Sequence, residues 1–533
     1  MPAPTAVEIF DTTLRDGSQL EGLSLTVDDK LRIAEQLDHL GVHYIEGGWP
    51  GANPKDNEFF RRAANGELTL STSTLVAFGS TRRVKGKVDS DDTLRNLVEA
   101  GTSHACIVGK AWDYHVLEAL ETTLDEGVAM VADSIEFLTR SGLSTMYDAE
   151  HFFDGFKANP EFSLRVVEAA ALAGATTLVL CDTNGGTMPH EVARIVQEVV
   201  EYLGGDVKVG VHFHNDGGCA VANALAGVLA GATQVQGCIN GYGERTGNAN
   251  LTTIIPDLTL KMGIQTIPRD RLERLTPVSH HIAELVNVTP DAQAPYVGSS
   301  AFAHKAGLHV SAIAKRPDAY EHVSPDMVGN GTRFVVSELA GKSTLQMKAR
   351  ELGLDLDGRA LGEVLEQLKE LEHRGYHFEA ADGSLELLMR SATGWKQDFF
   401  RLESYRVISD QRGDLFITEG TVKVHVGDER VVATGEGNGP VNALDAALRK
   451  AIGGTYPALA SIHLTDYKVR VLDTSKGTGA VTRVLIDTTD GDRSWSTIGV
   501  SENIIEASWE ALVDSIVYGL LLHQPNAVET HSA

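Results

Sequence analysis

From residue 7 to about 265, short runs rich in β-branched and aromatic residues alternate with longer amphipathic segments. Such alternation is typical of an α/β protein whose parallel sheet is covered by its connecting helices. Eight runs are present, and eight strands within about 260 residues favour a closed (β/α)8 TIM barrel over an open sheet. We predict the strands at residues 7–10, 43–46, 70–76, 104–108, 128–133, 176–181, 207–214 and 234–239.

Two of the predicted connecting helices have readable ends. Thr26 is followed by two aspartates, which predicts an N-cap with an acidic first turn, and Gly41 follows the last apolar residue of that helix. A second helix is predicted over residues 162–174, with Gly174 as its terminator. Both helices precede a predicted strand, as the barrel requires.

The pattern changes after residue 265. Repeated prolines over residues 266–336 indicate loops and short helices, which we interpret as a linker without a core. Residues 337–375 carry apolar positions at helical spacing and predict a helical subdomain. We therefore divide the chain into a barrel, a linker with a helical subdomain, a C-terminal α+β domain and a flexible tail, at residues 1–265, 266–395, 396–523 and 524–533.

The C-terminal segment contains a weak internal repeat. Residues 415–452 and 480–521 each read as strand, tight turn, strand, glycine and helix. Two copies of one unit predict a pseudo-symmetric domain whose halves bury their helices against each other.

Composition excludes several classes of protein. The chain has 46 basic and 73 acidic residues, a net charge of −27, which disfavours binding to nucleic acid or to an anionic membrane. Its 42% hydrophobic content is that of a globular protein. The four cysteines lack metal-site spacing and read as reduced thiols, and neither a leader peptide nor a membrane-spanning segment is recognisable, so we expect a cytoplasmic protein.

Candidate chemistry lies at the predicted strand ends, which converge on one mouth of a barrel. Arg15 and Asp16 follow strand one, and His212 and His214 end strand seven. Histidines at i and i+2 of a strand point to the same face, so with Asp16 they form a two-histidine, one-carboxylate set for a divalent ion. The alternative is a pair of hydrogen-bonded core histidines. The ligand types leave zinc, manganese, magnesium and iron open.

Two further features belong to this mouth. Arg15 is expected to stabilise negative charge on a substrate, the alternative being a surface ion pair. The glycine-rich loop after strand eight contains Glu244 and Asn248, and Asn248 can offer a neutral oxygen to the ion. An ordinary turn would explain the same loop equally well.

Residues 11–17 (DTTLRDG), 212–216 (HFHND) and 243–248 (GERTGN) together resemble signatures of the 2-isopropylmalate, homocitrate and citramalate synthases, in the DRE-TIM metallolyase superfamily. Residues 301–309 look like the family's linker motif, and residues 435–444 look like a helix start in its C-terminal regulatory domain of the LeuA dimerisation type. Two other segments, residues 46–56 and 147–160, are most similar to the citramalate synthase branch.

The resemblance implies a function and a site. It implies metal-dependent condensation of acetyl-CoA with pyruvate, followed by thioester hydrolysis, to give (R)-citramalate and CoA. It implies a divalent Mg, Mn or Zn ion held by Asp16, His212, His214 and Asn248, with Arg15 and Thr183 holding the 2-oxo acid. It implies catalytic roles for Arg15 and Glu150, and the base is Glu150, Glu244 or His309. His309 and Tyr320 match a linker pair that, in relatives, reaches the active site of the partner subunit.

The remaining expectations concern substrate selectivity, regulation and alternative functions. The pocket wall is expected to include Trp49, Leu75, Tyr147 and Cys181. We expect a homodimer inhibited by isoleucine at the C-terminal domain. The alternatives are a 2-isopropylmalate synthase acting on 2-oxoisovalerate, a non-catalytic metal-binding sensor subunit, and a lyase of a related CoA ester.

Overall fold

The structure is a computed structural model that describes residues 3–523. Within that span, the structure does not describe residues 206, 305–311, 314–315, 335–341, 355, 379–380, 413–414, 473–476 and 478. Two units are distinguished, Met1–Phe302 with Glu321–Thr332 and Ala303–Tyr320 with Arg333–Ala533. Among the described residues, none of the helices combines the length and the apolar character needed to cross a membrane.

Eight parallel strands close into a barrel in the first unit, in sequence order, which confirms the predicted TIM barrel. The last strand pairs with the first, and Asp11 lies opposite Gly237. Because all strands run the same way, their carboxyl ends open at one mouth. The strands are β1 Glu8–Asp11, β2 Tyr44–Gly48, β3 Thr74–Ser80, β4 His104–Lys110, β5 Ser144–Glu150, β6 Thr177–Asp182, β7 Lys208–Phe213 and β8 Gln234–Gly237.

Ten α-helices are described in the first unit besides shorter 3-10 and π helices, and most of them lie on the outside of the barrel. Thr26 caps the first helix as predicted: its hydroxyl accepts from the Asp29 amide at 3.1 Å, its own amide donates to the Asp29 carboxylate, and Gly41 ends the helix with φ of 93°. The helices are α1 Val27–Leu40, α2 Pro54–Arg62, α3 Asp92–Glu99, α4 Leu124–Arg140, α5 Phe152–Ala158, α6 Pro160–Leu172, α7 Pro189–Leu203, α8 Ala220–Leu229, α9 Leu251–Pro256 and α10 Leu275–Leu285.

The prediction for the fifth strand was wrong. Residues 128–133 lie inside α4, and the fifth strand is Ser144–Glu150. A short apolar run does not distinguish a strand from a buried helical segment. The hydroxyl of Thr123 accepts from the Glu126 amide and caps a helix whose buried positions follow helical spacing, so the run is helical.

The prediction that residues 266–336 lack a core was also wrong in part. Leu275, Val278 and Ile282 of α10 are buried in the hydrophobic core of the barrel unit. Pro277 does not prevent this helix, because it is the third residue, in the first turn, where the amide has no intrahelical partner.

The second unit begins with helices. The segment predicted as helical over residues 337–375 contains two described helices with a break between them, where Gly353 has φ of 69° and Asp357 caps the next helix. A third helix follows. The three are α11 Lys342–Glu351, α12 Gly358–His373 and α13 Asp382–Ser391.

The repeat predicted near the C-terminus is present as two three-stranded antiparallel sheets, each followed by a helix. Leu444 and Leu448 of one half share a core with Ile516 and Leu520 of the other. Besides the short pair β9 Ala303–His304 and β10 Arg333–Phe334, the elements are β11 Arg401–Arg412, β12 Leu415–Val426, β13 Glu429–Gly437, α14 Pro440–Ile452, β14 His463–Val471, β15 Thr482–Thr489, β16 Ser494–Ser501 and α15 Ile504–His523.

The helical subdomain and the repeat share their cores. Leu387 of α13 belongs to the core of the repeat, whereas Ile498 and Val500 of β16 belong to the core of the helical subdomain. The Ser384 hydroxyl also donates to Asp514 of α15 at 2.7 Å. A chain cut near residue 395 would therefore open two cores at once.

Candidate active site

A cavity of about 250 Å³ lies at the barrel mouth. Its volume is just below the range of pockets that take drug-sized ligands, so it suits a small molecule. Charged and polar side chains line it together with a few apolar ones. The lining residues are Arg15, Asp16, Gln19, Trp49, Phe78, Val108, Asp148, Glu150, Cys181, Thr183, His212, His214, Glu244 and Arg245.

Asp16, His212 and His214 come together as the sequence predicted. The Nε2 atom of His212 is 3.4 Å from Oδ2 of Asp16, and Nε2 of His214 is 3.8 Å from the same oxygen. One potential ligand atom from each residue lies within 4.8 Å of the others, and all three residues are buried. The histidines belong to the end of β7, where alternation of side chains directs both into the barrel.

The electrostatics of Asp16 and His214 suit cation binding. Burial, reinforced by neighbouring His212, lowers the pKa of His214 to about 4, so its ring is neutral and has a free lone pair at pH 7. Burial opposes ionisation of Asp16, but Arg15, His212 and His214 outweigh it and lower its pKa, so the carboxylate is charged. Metal ligands need these protonation states.

Asn248 adds a neutral oxygen beside the group. Its backbone pairs with that of His214, and its amide nitrogen donates to the Tyr242 carbonyl at 3.1 Å. A side chain on Gly243 would lie 2.2 Å from that nitrogen, so only glycine permits the approach. Three buried atoms have no hydrogen-bond partner among the described residues: Oδ1 of Asn248, Oδ1 of Asp16 and Nδ1 of His214. The two oxygens are atoms that a bound cation would satisfy, so this donor set fits a divalent metal.

Arg15 is held rigidly next to the group. Its Nε is 2.5 Å from Glu46, its Nη1 is 3.3 Å from Asp16, and its guanidinium lies 3.8 Å from the centre of the Phe78 ring. The surface ion pair considered for Arg15 is excluded, because Glu46 is fully buried. A buried, fixed guanidinium is suited to an anionic substrate.

Glu46, Cys106 and Asp148 form a second cluster within the described residues that has metal-ligand types. Here Arg15 contacts Glu46 Oε2 and Cys106 contacts Asp148 at 3.2 Å, while Oε1 of Glu46 has no partner among the described residues. The guanidinium contacts Glu46 directly and would repel a cation at this position. The Asp16 group, with Asn248 beside it, is the better candidate for a cation.

Glu150, Thr183 and Glu244 lie at the cavity rim. Glu150 forms an ion pair with Lys110 and its side chain is 24% exposed, whereas that of Glu244 is 58% exposed and lies 3.5 Å from Arg245. The Thr183 hydroxyl accepts from the His151 amide at 2.9 Å. Glu150 is thus the more enclosed of the two carboxylates.

Of the predicted linker pair, His309 lies outside the described residues. Tyr320 belongs to the second unit and is 47% exposed.

The pocket wall differs from the expectation. Trp49 and Cys181 line the cavity as predicted, but Leu75 and Tyr147 do not. Both side chains belong to the core between strands and helices, because successive residues of a strand face opposite sides. Phe78 and Val108 line the cavity instead.

Sequence reasoning missed Glu46, Asp148 and Gln236, which carry buried polar side chains inside the barrel. Glu46 and Asp148 belonged to segments noted only for their resemblance. The signal that could have found them is a polar residue at an inward-facing position near a strand end.

A closed barrel with a buried cation-binding group at its mouth is the architecture of a metal-dependent barrel enzyme. The HMGL-like family model matches residues 6–277, the model of the homocitrate synthase post-HMGL domain matches residues 296–376, and that of the LeuA allosteric (dimerisation) domain matches residues 379–520.

Curated relatives agree with the family models over almost the whole chain. An (R)-citramalate synthase of Aquifex aeolicus is 51% identical over 98% of this chain and 99% of the relative, and one of Streptomyces coelicolor is 52% identical over 96% of both. A probable 2-isopropylmalate synthase of Methanopyrus kandleri is 33% identical over 96% of this chain and 98% of its own. The chain belongs to the HMGL-like family and, within it, to the family of the (R)-citramalate synthases.

Proposed function

We propose that this enzyme condenses acetyl-CoA with pyruvate and hydrolyses the resulting thioester, releasing (R)-citramalate and free CoA. The observation that carries the proposal is the 51% identity to an (R)-citramalate synthase over 98% of the chain. The small, charged cavity at the barrel mouth supports it, because a three-carbon oxo acid is a small anion that needs little space and a cationic partner.

Asp16, His212, His214 and Asn248 are the proposed ligands of a divalent Mg, Mn or Zn ion. Such an ion would supply a Lewis acid for the keto oxygen of the 2-oxo acid. The buried oxygens of Asp16 and Asn248 that lack a protein partner support this assignment.

Arg15 and Thr183 are proposed to hold the 2-oxo acid. The guanidinium of Arg15 is already fixed by Glu46 and Phe78, so it need not reorganise as negative charge develops on the substrate oxygen. Thr183 lines the same cavity, and its hydroxyl accepts from the His151 amide.

Glu150 is the proposed base that removes a proton from the acetyl methyl group. It lines the cavity and is more enclosed than Glu244, the other carboxylate considered. A base must lie within hydrogen-bonding reach of the proton it abstracts. In this proposal His309 and Tyr320 serve the partner subunit's active site.

Selectivity among 2-oxo acids tests the proposed function. We expect pyruvate to exceed 2-oxoisovalerate in kcat/KM by at least about tenfold, because a single extra methylene is worth ~1–3 kcal/mol in a closed pocket. Trp49, Phe78 and Val108 are the proposed steric wall. The measurement is CoA thiol release from acetyl-CoA with pyruvate, 2-oxobutanoate and 2-oxoisovalerate. Equal or faster release with 2-oxoisovalerate would favour a 2-isopropylmalate synthase instead.

The domains proposed from the sequence, at residues 1–265, 266–395 and 396–523, assign regulation to the C-terminal repeat. A crevice of about 960 Å³ lies there between α14, β14 and α15. Asp445 and Arg449, paired with each other at 2.8 Å, place both charges on its wall, and Leu459, Leu464 and Leu512 offer an apolar surface for an amino-acid side chain. We propose isoleucine as the effector in this crevice.

A bulky side chain that fills the crevice is expected to weaken inhibition by isoleucine without removing any existing interaction. The variant Ala460→Trp should raise the isoleucine concentration for half-inhibition at least about tenfold, since a bulky ring would occupy the site, and one poorly fitting group costs ~1–3 kcal/mol. Ala458→Trp, on the same turn but not lining the crevice, is the matched control. Unchanged inhibition of Ala460→Trp would contradict the proposal. Truncation near residue 395 is a poorer test because it opens shared cores.

The proposed assembly is a homodimer formed through the domain that matches the LeuA dimerisation model. We place the enzyme in the cytoplasm, in keeping with four free cysteines.

A further inference from the structure

His212 has a hydrogen-bond partner on the side away from the proposed ion. Its Nδ1 is 2.9 Å from Oε1 of Gln236, which lies opposite it on the neighbouring strand β8. A carbonyl oxygen only accepts, so Nδ1 of His212 carries the proton and donates it. Nε2, which lies 3.4 Å from Asp16, then faces the cation-binding group.

Gln236 can keep this role only if its amide does not turn over, and Asp148 prevents that. The Gln236 amide nitrogen donates to Oδ1 of Asp148 at 3.0 Å. A rotated amide would place its oxygen against a carboxylate oxygen and its NH2 group against the N–H of His212. Asp148 is fixed in turn by Cys106 at 3.2 Å, and all three residues are buried.

The other histidine lacks such support. Nδ1 of His214 is buried and has no hydrogen-bond partner among the described residues. The two histidines are thus unequal: His212 is oriented before an ion binds, and His214 is not.

We propose that Gln236 and Asp148 are positioning residues that fix His212 in the tautomer and orientation required for metal binding. This inference rests on the metal site of the proposed function. It assigns a share of the metal affinity to two buried side chains that are not among the proposed ligands, although Asp148 also lines the cavity.

The test is direct titration of the metal-free full chain with Mn²⁺, with the dissociation constant as readout. Q236M keeps the length of the side chain but removes the acceptor, and we expect the dissociation constant to rise about 10–100-fold, as for other partners of metal-binding histidines. Q234M is the matched control, because Gln234 is equally buried on the same face of β8 but contacts Glu8 and Met146. The control should change the constant less than about threefold.

A hydrogen-bond swap separates positioning from mere packing. In the Q236E/D148N double variant, a carboxylate at position 236 accepts from His212, and an amide at position 148 donates to that carboxylate. We expect this variant to bind Mn²⁺ within about threefold of the wild type, whereas Q236M binds it about 10–100-fold more weakly. The swap also decides the question should Q236M not fold.

Wild-type affinity in Q236M would overturn the inference, as would equal weakening in Q234M and Q236M. The H212A/H214A variant shows which claim has failed. If that variant loses Mn²⁺ binding while Q236M retains it, the metal site stands and only the positioning role is lost. If H212A/H214A binds Mn²⁺ as the wild type does, the proposed metal site itself is wrong.

Discussion

Replacing His212 and His214 together by alanine is expected to abolish metal binding and to lower kcat with acetyl-CoA and pyruvate by at least about 10³-fold. The reason is that polarisation of a carbonyl by a bound ion supplies several kcal/mol of transition-state stabilisation, and each ~1.4 kcal/mol is tenfold in rate. The two rings and Asp16 form one of two described groups with metal-ligand side chains, and the one beside the unpartnered oxygen of Asn248.

Thiol release and metal content are to be measured on the same preparation of the double variant. His104→Ala is the control, since His104 begins β4 and so lies at the opposite end of the barrel. It should leave kcat and metal content unchanged. A double variant with wild-type turnover would instead support a chain that senses an effector without catalysing the condensation.

The second large effect is expected for Arg15→Lys, which should lower kcat by about 10²–10³-fold with a smaller change in KM. Loss of one fixed donor to a developing oxyanion has this magnitude. Lysine keeps the charge but cannot contact both Glu46 and Asp16 while lying flat on Phe78, as the guanidinium does. The ammonium would be free to move away from the substrate oxygen.

Arg82→Lys provides the matched control for this loss. Arg82 is also buried and paired with two carboxylates, Glu126 and Asp133, but it does not line the cavity. Its variant should lose thermal stability and keep kcat. Equal losses of kcat in the two variants would show that Arg15 acts through the fold and not on the substrate.

Strand positions in the barrel were predictable where a run was bounded by turns and held β-branched residues. The run at residues 128–133 was not, because only the cap at Thr123 and the helical spacing beyond it make that segment part of α4. Likewise Pro277 indicated a loop, although a proline in the first turn costs no hydrogen bond. A capping residue or a proline can therefore indicate the wrong element when its position within that element is unknown.

The metal group was predictable because its members lie in motifs at strand ends, His212 and His214 by their i, i+2 spacing. The prediction that Leu75 and Tyr147 line the pocket was wrong because the direction of each side chain depends on strand register. A sequence does not reveal that register to within one residue. Gln236 and Asp148 were missed for a related reason. Their role exists only through hydrogen bonds between strands that the chain brings together by closing the barrel.

The central claim is that condensation takes place at an ion held by Asp16, His212 and His214. The most direct measurement is CoA release from acetyl-CoA and pyruvate by the wild-type chain, before chelation, after chelation to verified metal-free protein, and after return of Mg²⁺, Mn²⁺ or Zn²⁺. We predict that release stops on chelation and that at least one of these ions restores it. Undiminished release from metal-free protein would contradict the account.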